Sequence, residues 1–339
     1  MTDINGIDDF LTQAGTHYRV FDMGRRIQPL SREQFVAFES GMATYAFPLQ
    51  QHAWLGFLVW QENADDDVVI WFIKFPLDGK GQLSPQVRHD FLHHLLNRKD
   101  QQQDDEHPFG FKPKQEHMAV FHAKAACQLN KPPSRFYLHA LEYISGATGY
   151  DQWAFVGFQG IADLVARLEE DNNESLLASA FPQLPWPPTD ALCQCLEHET
   201  IDAAVTQVIA QRLREQLTSD KPSVEQIAML IRGLSGTSDT AALEQILREC
   251  LQKDISREAE ILAAISGRCW QTLQEAELMF TYLEVLCHNL EGQALFNLVV
   301  TDLIAIPGMQ GAIHQAIRDP RRSEQLSRSI GGLFQPADE

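Results

Sequence analysis

Four ionisable residues occupy six positions of one predicted helix: His89, Asp90, His93 and His94. His89 and His93 are one helical turn apart, a spacing at which two side chains of a helix can bind one metal ion. The helix also carries an apolar stripe, formed by Val87, Phe91, Leu92 and Leu95. At about 100° per residue the histidines are on the opposite face. We therefore predict a solvent-exposed face, with a metal site at His89 and His93 as the alternative.

Two other groups of charged residues have the right chemistry to bind ions. Arg25 and Arg26 form a compact positive point, and guanidinium groups suit carboxylates and phosphates. Pairing with Asp22 or with an acid on a neighbouring strand is the preferred interpretation, and contact with a small anion is the alternative. The run Asp65–Asp67 is interpreted as the charged tip of a hairpin, with a hard-cation site as the alternative.

Motifs of the better-known catalytic sites are missing from the sequence. None of the glycine-containing loops continues to the G-K-[ST] of a phosphate-binding loop, and there is no G-x-S-x-G sequence. The six cysteines include no C-x-x-C pair, which is typical of buried, reduced thiols. We predict no catalytic residue and no cofactor.

The first half of the chain must be built around two apolar runs, AWLGFLVW and VVIWFIKF, in residues 53–75. They are rich in aromatic and β-branched residues on both faces, which predicts a hairpin that is covered on both sides. Residues 18–30 predict a second hairpin, with Gly24 in its turn supplying a positive φ. Ser31 and Gln34 form a capping box for a helix that ends at Gly41.

A further helix is predicted to begin at Ser84-Pro85, with serine as N-cap and proline in the first turn. The resulting order of hairpin, helix, hairpin and helix has no crossover pattern for parallel strands. An α+β domain is therefore expected in residues 1–150, with an antiparallel sheet of about four strands and helices on its faces.

From about Trp153 onward the pattern is helical only. One apolar stripe is formed by Ile201, Val205, Val208, Ile209, Leu213 and Leu217. Asn173, Ser223 and Ser256 are predicted N-caps. Three stretches also repeat the same order of an apolar helix end, a Pro/Gly break and a second helix. An all-α array is therefore predicted in residues 151–339, with a HEAT-like α-solenoid and a compact bundle as the alternatives.

The net charge of −19 is spread unevenly. Residues 1–145 carry −4 and the remainder carries −15. An acidic second half repels phosphate backbones, so nucleic-acid binding is not expected. No apolar run reaches the length of a membrane helix, and the acidic N-terminus does not resemble a secretory signal. These observations indicate a cytoplasmic protein without membrane association.

Several strings together resemble an uncharacterised bacterial family that is known only as a domain of unknown function. They include THYRVFDMGRRI, PLQQHAWLGFLVW, IWFIKFPLD, ISGRCW, LIAIPGM and the terminal GGLFQP. The resemblance runs from about Asp8 to Phe334 and implies a bacterial cytoplasmic protein. It assigns no activity, so no catalytic residue is carried over from it.

We therefore expect a non-catalytic protein-interaction or scaffold protein that presents an acidic helical surface to a basic or mixed-charge protein partner. Two alternatives stay open. One is a regulatory module that binds a small anion through Arg25 or Arg26, and the other is a metal-assisted hydrolase that uses the histidine cluster. The sequence does not fix an oligomeric state.

Overall fold

The two predicted hairpins form one antiparallel sheet in the computed structural model, which describes residues 4–61, 68–97 and 108–334. Its strands are β1 (Thr16–Asp22), β2 (Gln28–Leu30), β3 (His52–Gln61) and β4 (Val69–Pro76). Their order across the sheet is β2-β1-β3-β4, so the long apolar strand β3 is central. The outer edge of β4 is paired by backbone hydrogen bonds from Lys74 N to Phe109 O and from Phe111 N to Phe72 O.

Three helices accompany the sheet: α1 (Ile7–Gln13), α2 (Arg32–Glu39) and α3 (Pro85–Asn97). Aromatic rings join α2 and α3 to one face of the sheet. The ring of Phe35 packs edge-on against Phe57 at 5.3 Å, and the rings of Phe75 and Phe91 are 5.1 Å apart. On the other face Leu58 is also buried. Hydrophobic burial on both faces of the central strands therefore matches their apolar pattern.

The predicted N-terminal caps of α2 and α3 are confirmed, whereas the predicted backbone conformation of Gly24 is not. Ser31 and Gln34 form a reciprocal capping box, and the Oγ of Ser84 accepts a hydrogen bond from Gln86 N in the first turn of α3. The prediction of a positive φ at Gly24 is wrong. A Cβ at this position would lie 3.2 Å from Cδ1 of Trp54, a tighter contact than most side chains make, so close packing favours glycine there.

The remainder of the chain is helical. Its α-helices are α4 (Gln115–Gln128), α5 (Tyr137–Ile144), α6 (Phe158–Val165), α7 (Asn173–Ala180), α8 (Trp186–Leu196), α9 (Ala203–Thr218), α10 (Val224–Leu234), α11 (Thr240–Leu251), α12 (Ala259–Arg268), α13 (Ala276–Leu286), α14 (Gln293–Ile304), α15 (Met309–Ile317) and α16 (Glu324–Gly332). Short 3-10 helices lie at Tyr150–Phe155, Phe181–Gln183, Asp254–Arg257 and Thr272–Gln274. The predicted fold class, α+β followed by helices, is confirmed.

These helices alternate between two layers. The first contains α4, α6, α8, α10, α12, α14 and α16, each packed on the next in that order. The second contains α5, α7, α9, α11, α13 and α15 in the same way. Each helix thus packs on the next-but-one helix in the sequence, as the predicted repetition of helix, break and helix requires.

The predicted apolar stripe agrees with the structure, whereas two of the predicted N-caps do not. Four stripe residues are buried along α9: Val205, Ile209, Leu213 and Leu217. The predicted caps at Asn173 and Ser256 are wrong: the N-cap of α7 is Asn172, and Ser256 is buried in a 3-10 turn before α12. The side chain of Asn173 instead donates to the hydroxyl of Tyr137, 36 residues away, and that of Ser256 donates to the carbonyl oxygen of Lys253.

Packing divides the chain into two compact units. The first runs to Lys114 and also includes Ala305–Pro307, and the second comprises Gln115–Ile304 and the chain from Gly308. The domain boundary near residue 150 stays a prediction, since compactness alone does not define an independently folding domain. No helix among the described residues is long and apolar enough to cross a membrane.

Candidate functional site

The histidines singled out by sequence lie on the solvent-exposed face of α3. His89 and His93 are both exposed, and their ring centroids are 6.5 Å apart. The neighbouring Asp90 accepts a hydrogen bond from the side chain of Gln86. Within the described part of the chain, the group of three ligand-type side chains that converges lies elsewhere. Asp65–Asp67 lie outside the described residues.

Arg25 is fully buried, and its Nε donates a 2.7 Å hydrogen bond to the carbonyl oxygen of Pro48. The neighbouring Arg26 is half-buried and donates through its backbone N–H to Asp22 Oδ2 at 3.2 Å. Asp22 also accepts a 2.7 Å hydrogen bond from the Tyr45 hydroxyl. Burial raises the pKa of Asp22 to about 6. An anion that reached Arg25 would have to open this network first.

A denser group of ionisable side chains lies in the helical unit, at the C-terminal end of α8. Glu197 is fully buried there and contacts two arginines. Nη2 of Arg232, on α10, donates to Oε1 at 2.8 Å, while its Nε contacts Oε2. Nε of Arg268, the last residue of α12, lies 3.1 Å from Oε2. One carboxylate therefore joins the ends of three helices in the same layer.

His198 and α4 complete the group. Nε2 of His198 lies 3.3 Å from Oε1 of Glu197, and the rings of His198 and His117 are perpendicular with centroids 5.8 Å apart. Nζ of Lys124 donates to the carbonyl oxygen of His198 at 2.9 Å and also contacts the carboxylate of Glu199. His117 and Lys124 both belong to α4, so this helix is fixed to the end of α8.

The protonation states follow from burial and charge. Burial alone would raise the pKa of Glu197, but the charges of Arg268 and Arg232 outweigh it and hold the pKa well below its ordinary value. Burial holds the pKa of His198 well below its ordinary value, although the charge of Glu197 opposes the shift. Near neutral pH the carboxylate is therefore ionised and the imidazole is neutral.

A metal ion is the first ligand to consider, because the ligand atoms of His117, Glu197 and His198 all lie within 4.8 Å of one another. Two histidines and a glutamate are a known zinc ligand set. A dication bound to Glu197, however, would also face the two guanidinium groups that already pair with this carboxylate. At a separation of about 5 Å and an effective dielectric constant of about 20, each of them would repel it by about 7 kcal/mol.

That repulsion decides the chemistry of the group. Two arginine charges beside this one carboxylate offset much of the attraction that it would exert on a dication. Lys124 is paired with the carboxylate of Glu199 in the same way. We therefore interpret the group as an ion-pair network that holds these helices together. We call it the Glu197 network, formed by His117, Lys124, Glu197, His198, Glu199, Arg232 and Arg268.

Backbone hydrogen bonds also hold the ends of α8 and α10 together. The loop after α8 lies against the loop after α10, with hydrogen bonds from Ile201 N to Gly236 O and from Ser238 N to Ile201 O, both 3.1 Å. A Cβ on Gly236 would overlap the carbonyl oxygen of Glu199. Glycine at this position therefore lets the two loops approach closely enough for Glu197 to reach Arg232.

A cysteine–histidine contact is the other arrangement to test for catalysis. Sγ of Cys287 lies 3.2 Å from Nδ1 of His288. Nδ1 is also 2.9 Å from the carbonyl oxygen of Glu284, an acceptor only, so Nδ1 carries the proton and does not act as a base for the thiol. Burial raises the pKa of Cys287 to about 11. This thiol is therefore not an activated nucleophile.

The helical unit also presents an apolar cleft of about 490 Å³ between the starts of α4 and α6. Its apolar lining includes Met118, Ala119, Phe136 and Phe158, and its polar lining includes Glu116, His122 and Gln159. Trp153 and Phe155, in the 3-10 helix just before α6, are 40% and 82% exposed. We call the cleft and these two side chains the aromatic patch. Exposed aromatic clusters of this kind mark interaction surfaces.

The match of a family model extends over the sheet and both helical layers. This model, described as a protein of unknown function (DUF3549), matches residues 2–334. The chain belongs to the DUF3549 family. Neither the curated proteins nor the solved structures contain a match to this DUF3549 chain. The family resemblance seen in the sequence is thereby confirmed.

Sequence analysis of the DUF3549 chain missed the Glu197 network. Two signals could have revealed it. Glu197, His198 and Glu199 are three consecutive ionisable residues at the end of an apolar helix. In addition, Glu197 and Arg232 are 35 residues apart, close to the spacing between Arg232 and Arg268. Charged residues that recur at the same point of successive helical repeats are expected to meet between neighbouring repeats.

Proposed function

We propose that this protein is a non-catalytic protein-interaction or scaffold protein whose helices form a HEAT-like α-solenoid. The observation that carries this proposal is the alternation of α4 to α16 between two layers, in which each helix packs on the next-but-one helix. A compact bundle would bring together helices that are distant in sequence. Stacked helical hairpins instead leave long rows of side chains open to a partner.

The charge of these helices supports a basic or mixed-charge partner. Residues 115–339 contain 16 Lys and Arg and 30 Asp and Glu, a formal charge of −14. An acidic surface attracts a partner of opposite charge and accelerates its association. The chemistry of the ionisable groups points the same way, because the carboxylate of Glu197 is already paired with two arginines and the thiol of Cys287 is not activated.

The alternative functions receive less support. A small-anion module would have to use Arg25, whose side chain is buried and bound to Pro48, or its neighbour Arg26. A metal-assisted hydrolase would have to use His89 and His93, which lie on an exposed helix face. A bacterial, cytoplasmic location is part of our proposal. It rests on the family resemblance and on six free cysteines.

The test is salt-dependent capture of a partner. The immobilised full chain is expected to retain one dominant protein from a bacterial cytosol and to release it as the salt concentration rises. A variant with Glu215, Glu225 and Glu260 changed to Gln, all exposed or partly exposed on α9, α10 and α12, should retain less of it. The matched control neutralises Asp9, Glu33 and Asp90 in the first unit. Equal retention by both variants, or capture insensitive to salt, contradicts the proposal.

A further inference from the structure

We propose that the aromatic patch is the interface of a symmetric dimer and that its occupant is a second copy of this chain. The patch contains both a projecting side chain and a cavity. Phe155 is 82% exposed, and Gly157, only two residues further on, already lines the cleft of about 490 Å³. Burying one such aromatic side chain contributes about 1.5–3 kcal/mol.

A twofold axis relates a surface to an identical copy of itself, so a dimer interface of this kind must be self-complementary. A patch that has only a projecting side chain or only a cavity does not meet this condition. The aromatic patch has both, since Phe155 of each copy can enter the apolar cleft of the other. Met118, Phe136 and Phe158 supply apolar contacts for an incoming phenyl ring.

The charges at the cleft are also self-complementary. Arg135 lies over the ring of Phe136, with its Cζ 4.9 Å from the ring centroid, and Glu116 lines the cleft. In a symmetric pair each arginine can face the glutamate of the other copy, which gives two equivalent ion pairs. A second copy of the chain therefore supplies an opposite charge for both residues, which is our reason for choosing it as the occupant.

Sedimentation velocity on the full chain at about 1 to about 200 µM tests the dimer. The mass is expected to rise from 38.3 kDa toward twice that value as the concentration increases. Phe155→Ser should weaken association by about tenfold or more. Leu298→Ser is the matched control, because Leu298 is also apolar and exposed (57%) but lies on α14. Its dimerisation should equal that of the wild type.

Charge reversal tests the proposed pairing. Arg135→Glu and Glu116→Arg should each weaken association by about tenfold, and the double variant should restore it to within about threefold of the wild type. A wild-type chain that stays at 38.3 kDa at the highest concentration overturns the proposal, whatever else binds the patch. So does equal weakening by Leu298→Ser, or a double variant no better than the single ones. Partner capture by the acidic surface is a separate outcome, since neither Phe155 nor Arg135 belongs to it.

Discussion

Glu197 binds Arg232 through both carboxylate oxygens, and the two residues are 35 positions apart at the ends of successive helices of one layer. Arg268 of the next helix reaches the same carboxylate. A buried ion pair of this kind contributes little net stability compared with apolar residues, but loss of one partner leaves a charge without compensation. The pair therefore fixes which helix ends meet.

Removal of the negative charge of Glu197 should therefore destabilise the protein. Glu197→Gln is expected to lower the free energy of unfolding by about 3–5 kcal/mol, because two largely buried arginines lose their counter-charge. The matched control is Glu249→Gln, whose partner Arg214 is 40% exposed; the expected loss is below about 1 kcal/mol. Urea unfolding followed by circular dichroism measures both. Similar losses for the two variants would contradict a special role for Glu197.

Gly236 should tolerate no side chain. Gly236→Ala places a methyl group on the carbonyl oxygen of Glu199, so we expect a destabilisation of several kcal/mol or failure to fold. Gly267→Ala, in α12, meets nothing within 4 Å and should stabilise the protein by up to about 1 kcal/mol. Melting temperatures give the comparison. The prediction is wrong if the Gly236 variant melts at the same temperature as its Gly267 counterpart.

The turn between Leu49 and His52 contains strain that a single substitution should relieve. Gln50 and Gln51 have φ of 51° and 58°, values that side chains disfavour and glycine accepts. Gln51→Gly should therefore raise the free energy of unfolding by about 1 kcal/mol. Gln51→Ala is the control and should bring no such gain, because alanine keeps a Cβ. Thermal unfolding of the three proteins at one pH distinguishes these outcomes.

The first unit should lose stability as the pH rises toward neutrality. Glu39 is 4% exposed and accepts hydrogen bonds from Ile7 N at 2.7 Å and Asp8 N at 3.1 Å. Burial raises its pKa from 4.5 to about 7. A group whose pKa is raised on folding stabilises the folded state fully below its unfolded pKa, and that stabilisation is lost as the pH rises through the folded pKa.

Between about pH 4.5 and pH 7 the loss from Glu39 amounts to about 3 kcal/mol, at about 1.4 kcal/mol per unit of pKa. Glu39→Gln does not titrate, so its stability should fall less over the same interval. Asp22 contributes in the same direction in both proteins, since its pKa is raised to about 6. Melting curves at pH 5 and pH 8 measure the difference. Parallel pH profiles for the variant and the wild type exclude this role for Glu39.

The sequence predicted those parts of the fold that depend on neighbouring residues. The two hairpins follow from apolar runs with turn residues between them, and the start of α2 follows from Ser31 and Gln34. Gly24 shows the limit of such arguments. A turn glycine suggests a positive φ, but here the preference for glycine comes from close packing on Trp54, 30 residues further along the chain.

The candidate site was less accessible to sequence analysis, because its members are brought together by packing. His117 and His198 are 81 residues apart, and neither follows a metal-site spacing. His89 and His93 do have such a spacing, yet they lie on an exposed helix face. Local spacing identifies ligands on a single helix, whereas the Glu197 network joins α4, α8, α10 and α12. The run of three ionisable residues at 197–199 and the periodic placement of charge were the available signals.

The alternation of helices between two layers also bears on how such chains change length. Because each hairpin packs mainly on the hairpins beside it, a whole hairpin of roughly 36 residues can be gained or lost without disturbing distant ones. Related chains should therefore differ by insertions or deletions of that size, placed at the loops between hairpins. We expect no such insertion or deletion between Glu197 and Arg268, because the carboxylate of Glu197 connects three consecutive helices of the first layer.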